Sequence, residues 1–227
     1  MTLTVQDIKT KVKKRQVWRG VDLSRLNKNT INRICDEIVP VVKETVDQKS
    51  NRKWTKHWKP FITLTSEERD RFRPIPRYQK IIDRSFEILQ NDHPMYIKHT
   101  RSCGPEYVYP ISDRTHYDWI HIPFPCRFES NKKYYKTLVH ELAHAACAKT
   151  RLCYKFEIYD EEEVTVELAS LIISSLLGIN VWDDSLAYIQ NRSYCKGKLI
   201  IKNKSQWHLI KRRTERLLMY LLCLNKN

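Results

Sequence analysis

The sequence predicts an α+β protein, mostly helical, with a small antiparallel sheet near the middle of the chain. Three observations predict it. Only four glycines, at 20, 104, 178 and 197, leave few positions for tight turns. Apolar residues recur at helical spacing over several long segments. Between Met95 and Phe124 the composition shifts to aromatic and β-branched residues separated by Gly, Pro, Ser and Asp, which marks short strands.

Taken in order, Ile31, Ile34, Cys35 and Ile38 share one helical face. Pro40 kinks or restarts that helix before Val41, Val42 and Val46. Residues 48–61 read as a linker or exposed loop. Thr65 and Glu68 form a capping box for a short helix that ends before Pro74 and Pro76. A further helix is expected from about Arg77 to Gln90, with Ile81, Ile82, Phe86 and Leu89 inward. Met95–His99, Tyr107–Tyr109 and Tyr117–Ile122 are the expected strands, with a hairpin around Ser112–His116. Helices follow over Tyr134–Ala148 and Glu161–Leu177, the second stopped by Gly178. A last amphipathic helix covers roughly Ser205–Leu224, with Trp207, Ile210, Leu217, Leu221 and Cys223 apolar and 211–213 exposed. The expected division is a basic helical N-terminal extension, 1–75, and a domain, 76–227, that carries the chemistry.

Composition excludes several classes. Hydrophobic residues are 41% and charged residues 30%, as in water-soluble globular chains. The longest apolar stretch, Leu168 to Trp182, is broken by Ser170, Ser174, Ser175, Gly178 and Asn180, so no membrane span is expected. The N-terminus lacks the apolar core of a secretory signal. Seven cysteines without a CxxC pair fit reduced thiols, hence an intracellular protein, cytoplasmic or, in a eukaryotic host, nuclear. The net charge is +15, of which residues 1–60 supply +9. Such a bias points to a polyanion, with DNA the first candidate.

The segment TLVHELAHA contains H-E-x-x-H. On a helix, residues four apart share a face, so His140 and His144 can reach one ion. Glu141 lies about 100° further round the axis, where it can act on a water at the metal without ligating the metal. Leu138, Val139, Leu142, Ala143, Ala145 and Ala146 make the rest of that helix a buried one. Two imidazoles and a carboxylate would be costly to bury there without a partner. A catalytic Zn2+ takes a third protein ligand. No histidine follows His144 until His208, but Glu163 and Glu167 follow on one helical face. Glu163 is assigned to the metal and Glu167 to the shell behind it, with the reverse left open. Asp160, Glu161 and Glu162 read as charges favoured by a helix N-terminus.

The run Y-V-Y-P-I-S-D…D-W-I-H-I-P, then Y-Y-K-T-L-V-H-E-L-A-H-A, Arg151-Leu152 and E-E-V-T-V-E, resembles the metallopeptidase domain of ArdC-type antirestriction proteins of plasmids and phages. That domain is one of the zincin-like peptidases of polyvalent mobile-element proteins. The matching positions are Tyr109, Pro110, Asp118, Ile120, Pro123, Tyr134, Tyr135, Leu138, the His140–His144 motif, Arg151, Leu152, Glu162, Glu163 and Glu167, within roughly residues 80–190. The resemblance implies a zincin-like fold of gluzincin type, peptidase activity, an antirestriction role, and a phage, virus or mobile element as source. Two features depart from that pattern: Ala145 stands where the family commonly has tryptophan, and the first 75 residues do not resemble its usual single-stranded-DNA-binding domain.

Arg52, Lys53, Trp54, Lys56, Trp58 and Lys59 alternate cations with two indoles. Cations follow phosphates and indoles stack on unpaired bases, so this segment is a candidate contact for single-stranded or duplex DNA. Trp54 and Trp58, four residues apart, could equally be core anchors. The expected function is therefore zinc-dependent peptide hydrolysis on DNA-associated proteins or in an antirestriction role, with a protein or peptide substrate. The alternative is a DNA-binding or DNA-masking protein whose zinc cuts nothing. Tyr154, Tyr159, Tyr188, Tyr194 and His208 are the candidate oxyanion partners in the first case.

Overall fold

The computed structural model describes residues 29, 76–100, 104–109, 117–195, 198, 199 and 204–223. The capping box at Thr65 and Glu68, the hairpin around Ser112–His116 and, apart from Asn29, the whole extension over 1–75 lie outside these residues. The chain divides into two compact units, whose described parts lie within 76–154 and within 155–223 apart from Asn29.

The first unit runs α1 (Pro76–Asp92), β1 (Met95–Thr100), β2 (Glu106–Val108), β3 (Asp118–Pro123), a 3-10 turn over Pro125–Arg127, and α2 (Asn131–Cys147). Helix α1 opens on a proline, which has no N–H to leave unpaired there. It buries Ile82, Phe86 and Leu89, as their spacing requires, while Ile81 is half-buried. Strand β3 alternates cleanly: Asp118, Ile120 and Ile122 are buried, whereas Trp119 and His121 are partly exposed.

The three strands form a mixed sheet in the order β1-β3-β2, not the wholly antiparallel one expected. Strands β2 and β3 are antiparallel as anticipated, with Tyr107 opposite Ile120. Strand β1 runs parallel to β3, pairing Met95 with Asp118 and Thr100 with Pro123. A period of two is the same for either direction of pairing, so alternation could not reveal this. Strand β2 pairs with three residues of β3 on one edge, and β1 pairs along all six on the other.

Helix α2 starts at Asn131, three residues before the expected Tyr134, because Ser130 caps it. The Ser130 hydroxyl accepts from the Lys133 amide at 3.2 Å. At the other end Ala148 turns extended. The amides of Leu152 and Tyr154 then return to the carbonyls of Ala146 and Cys147, helped by a left-handed Cys153 (φ 50°).

Arg151 sits in that turn and staples the unit together. Its guanidinium is paired with Asp118, which also accepts from the Tyr107 hydroxyl at 2.8 Å. It donates besides to the carbonyls of Leu89, His93 and Ala145, each at 3.1 Å. Both charged side chains are fully buried. One arginine thus joins the end of α1, the start of β3 and the end of α2. Nearby, burial lowers His99 to about 4, so at neutral pH it is an uncharged partner of the Tyr134 hydroxyl at 3.0 Å.

The second unit runs α3 (Tyr159–Leu176), α4 (Trp182–Ser193), a two-residue pair β4 (Tyr194–Cys195) and β5 (Lys198–Leu199), and α5 (Lys204–Cys223). Helix α3 is buried nearly all round from Glu163 to Ser174, because α4 and α5 both pack on it. It stops at Gly178 as its sequence suggests. Gly178 has φ 74°, and the amides of Gly178 and Ile179 bond back to Ser175 and Ser174 at 2.9 and 2.8 Å.

Helix α4 is not anticipated by the sequence reading, although Asp183 and Asp184 in its first turn are a helix-start signal. Two expectations for charged residues also change. Glu161 is buried and not a solvated helix-end charge: Gln206 donates to it at 3.2 Å and Arg213 at 3.3 Å. Arg213, expected to be exposed, is drawn in by that carboxylate, by the Lys155 carbonyl and by the Phe156 ring at 4.5 Å. Among the described residues no helix is long and apolar enough to cross a membrane.

Candidate metal centre

The apolar residues expected to bury α2 do so, and they fix which way its polar residues face. Leu138, Val139, Leu142, Ala143, Ala145 and Ala146 are all within a few per cent of full burial. His140 and His144, one turn apart, bring their Nε2 atoms to 3.2 Å, with ring centroids at 4.9 Å. Two ligands each about 2.0–2.1 Å from a tetrahedral zinc stand roughly 3.3 Å from one another. The imidazole pair therefore has the spacing that one shared ion needs. Glu141 is 5% exposed and His144 9%, so the helix carries polar groups into a nearly dry environment.

Glu163 stands in the second turn of α3 at 2% exposure. The Tyr188 hydroxyl, from α4, donates to its Oε2. Arg192, one turn further along α4, donates to the Tyr188 oxygen at 3.2 Å and approaches Glu163 Oε2 at 4.0 Å and Asp160 at 3.5 Å. Its guanidinium lies 5.2 Å from the centre of the Tyr188 ring and 5.6 Å from that of Tyr159. Burial, with the hydrogen bond to Glu163, pushes the Tyr188 phenol up to about 12. It is a proton donor throughout the neutral range.

His140 and His144 share one face of α2, and Glu163, the other candidate ligand, is carried by α3 in the second unit. The set of two imidazole nitrogens and a carboxylate oxygen is the composition of a hydrolytic zinc site, and the carboxylate also suits harder divalent ions. Glu167, one turn beyond Glu163 on α3, is fully buried. Of the candidate oxyanion partners, Tyr188 has its hydroxyl on Glu163, Tyr159 is 62% exposed, Tyr154 is half-buried and His208 is exposed. The Tyr194 side chain and the DNA candidates Arg52, Lys53, Trp54, Lys56, Trp58 and Lys59 lie outside the described residues. Sequence reasoning missed Arg192. Its signal was the Tyr188–Arg192 spacing of four, which has meaning only once residues 182–193 are known to be a helix.

Helix α2, which packs on β2 and β3, carries the two histidines, and the next helix in the chain carries Glu163. Residues 101–194 match the model of the family described as zincin-like metallopeptidase, and over that span the fold is zincin-like. Among solved structures, the chain is similar to the Mn(II)-bound crystal structure of the antirestriction protein ArdC from plasmid R388. The likeness has 22% identity and a TM-score of 0.47 over 68% of this chain. It spans 55% of the length of that protein. No curated protein matches the chain.

Proposed function

We propose that residues 76–227 form a zinc-dependent peptidase domain, with His140, His144 and Glu163 as metal ligands and Glu141 as general base. The observation that carries this reading is the 3.2 Å separation of the two Nε2 atoms on a helix whose other residues are apolar. A bound zinc ion would supply Lewis acidity, polarising a peptide carbonyl and making water easier to deprotonate. Glu141 takes the water's proton on its carboxylate and delivers it to the leaving amine. The apolar residues around Glu141 keep bulk water from competing for that proton. Glu167, behind Glu163, serves as the alternative ligand.

The test is zinc per chain by elemental mass spectrometry, in wild type and in His140→Ala. One zinc in wild type and less than a tenth of that in the variant is the expected result, with Mn(II) loading measured in parallel. Well-folded wild type that takes up no metal after reconstitution would remove the hydrolase reading. It would leave a DNA-binding or DNA-masking protein on a zincin-like scaffold, the alternative that the charge of +15 also accommodates.

Substrates in this reading are proteins associated with DNA, and the role is of antirestriction type inside a cell that hosts a phage, virus or mobile element. Residues 1–75 act as a basic helical extension. Arg52, Lys53, Lys56 and Lys59 follow phosphates, and Trp54 and Trp58 stack on bases. Binding of a fluorescent single-stranded oligonucleotide should then fall linearly in log–log form with salt, with a slope of about −0.7 per phosphate neutralised. Trp54→Ala should cost roughly 1–3 kcal/mol of affinity. Salt-independent binding, or none at low salt, would count against this assignment.

A further inference from the structure

We propose that the outer face of the three-stranded sheet is a stacking platform for single-stranded nucleic acid, built from Tyr96, Tyr117 and Trp119. This assignment rests on the reading of DNA as a partner and adds to residues 52–59 a second contact surface, on the first unit.

The pleat of the strands creates the face. Strand β3 turns Ile120 and Ile122 into the core, so Trp119 and His121 point the other way. In β1, Met95 and His99 are buried while Tyr96 and Lys98 are exposed. The register aligns these residues into two rows. Tyr96 of β1 and Val108 of β2 flank Trp119, and Lys98 and Glu106 flank His121.

The first row carries aromatic rings in contact with one another. Tyr96 and Trp119 have ring centres 5.2 Å apart and planes 33° apart. Tyr117, immediately before β3, meets Tyr96 edge-on at 5.3 Å and 82°. Tyr96 is 38% exposed and Tyr117 42%, and Trp119 is half-buried. One exposed aromatic residue is ordinary, but three in contact on one face form a patch that is stabilised by being covered.

Two features select the occupant. The touching side chains are all aromatic, and bases of any sequence stack on such rings. Charge is the second. Lys98 is exposed on the same face, two residues along β1 from Tyr96, where it can follow a phosphate. Glu106, the acidic residue of that row, is taken up by His121 at 3.0 Å. The chain as a whole carries +15. A polyanion with unpaired bases satisfies both features, whereas a duplex keeps its bases stacked on each other.

The experiment measures anisotropy of a labelled single-stranded oligonucleotide and of the same sequence as a duplex. It uses wild type, Tyr96→Ala, Lys98→Ala and Trp54→Ala, with thermal melts as a check on folding. A 5-iodouracil form of the single strand is also photo-crosslinked to wild type and the adduct located by mass spectrometry.

Tyr96→Ala is expected to weaken single-strand binding roughly 5- to 150-fold. Lys98→Ala should lower the log–log salt slope by about 0.7. The cross-link should fall on Tyr96, Tyr117 or Trp119. Wild-type affinity in Tyr96→Ala, with a loss in Trp54→Ala, overturns the platform and leaves the DNA reading standing. The opposite pattern supports the platform and removes residues 52–59 instead. No binding by wild type at low salt removes both. Should Tyr96→Ala leave oligonucleotide binding unchanged but abolish self-association in sedimentation, the face is an interface between copies and the platform is overturned. If Tyr96→Ala fails to melt cooperatively, Tyr96→Leu, which keeps apolar bulk and removes the ring, must bind the single strand at least about 5-fold more weakly for the platform to stand.

Discussion

Replacing Glu141 by glutamine is expected to leave one zinc per chain and to slow hydrolysis of fluorescein-labelled casein roughly 100- to 10,000-fold. The two side chains have nearly the same shape, so the buried position at 5% exposure is refilled without a cavity. What is lost is the proton acceptor, because an amide nitrogen cannot take a proton from water at neutral pH. The metal is expected to remain because the proposed ligands are other residues, His140 and His144 one turn apart on α2 and Glu163 on α3. Elemental analysis and a casein assay, run with and without single-stranded DNA, read the two effects separately. Cleavage at the wild-type rate would remove Glu141 as the base. Loss of metal along with activity would make it part of the binding site instead.

Arg151→Met is expected to destabilise the protein by about 3–5 kcal/mol, the cost of leaving a buried carboxylate without its countercharge. Asp118 and Arg151 have no side-chain exposure, and the arginine also satisfies the carbonyls of Leu89, His93 and Ala145. Removing it orphans an anion and three carbonyl bonds together. Asp118→Leu alone leaves the guanidinium buried and should cost a comparable amount. The double variant, which removes both charges, should be more stable than either single one, since the largest penalty is the unpaired charge and not the absence of the pair. Urea unfolding of the four proteins measures this. Arg151→Met within about 1 kcal/mol of wild type, or costs that simply add, would show that the pair is not the staple described. Because Arg151 holds the Ala145 carbonyl at the end of α2, its loss should also weaken zinc binding.

Much of the fold was legible because burial leaves a period in the sequence. Ile82, Phe86 and Leu89 in α1, Leu138, Val139 and Leu142 in α2, and Ile210, Leu217 and Leu221 in α5 are buried where their spacing places them. Gly178 ended α3 because a left-handed residue is needed there and glycine supplies it without strain. The start of α2 was three residues off because its cap, Ser130, is one hydroxyl with no periodic signature. Helix α4 escaped notice since, among its described side chains, only Ser185 and Ile189 are buried, and the serine breaks the apolar repeat. Trp54, Trp58 and the cations around them lie outside the described residues.

The sequence by itself determined the parts whose partners are a few residues away. These are the histidines four apart on one helical face, the glutamate between them, and the glycine that ends α3. Helical geometry converts such spacings into positions without reference to the rest of the chain. Only the tertiary structure decided the long-range pairs: β1 parallel to β3, Arg151 on Asp118, Arg213 on Glu161, and Tyr188 with Arg192 on Glu163. Each joins residues from 25 to 52 positions apart or, for the strands, a direction of pairing that alternation does not encode. A buried charge selects its partner by what packing brings within reach, and packing is a property of the whole fold.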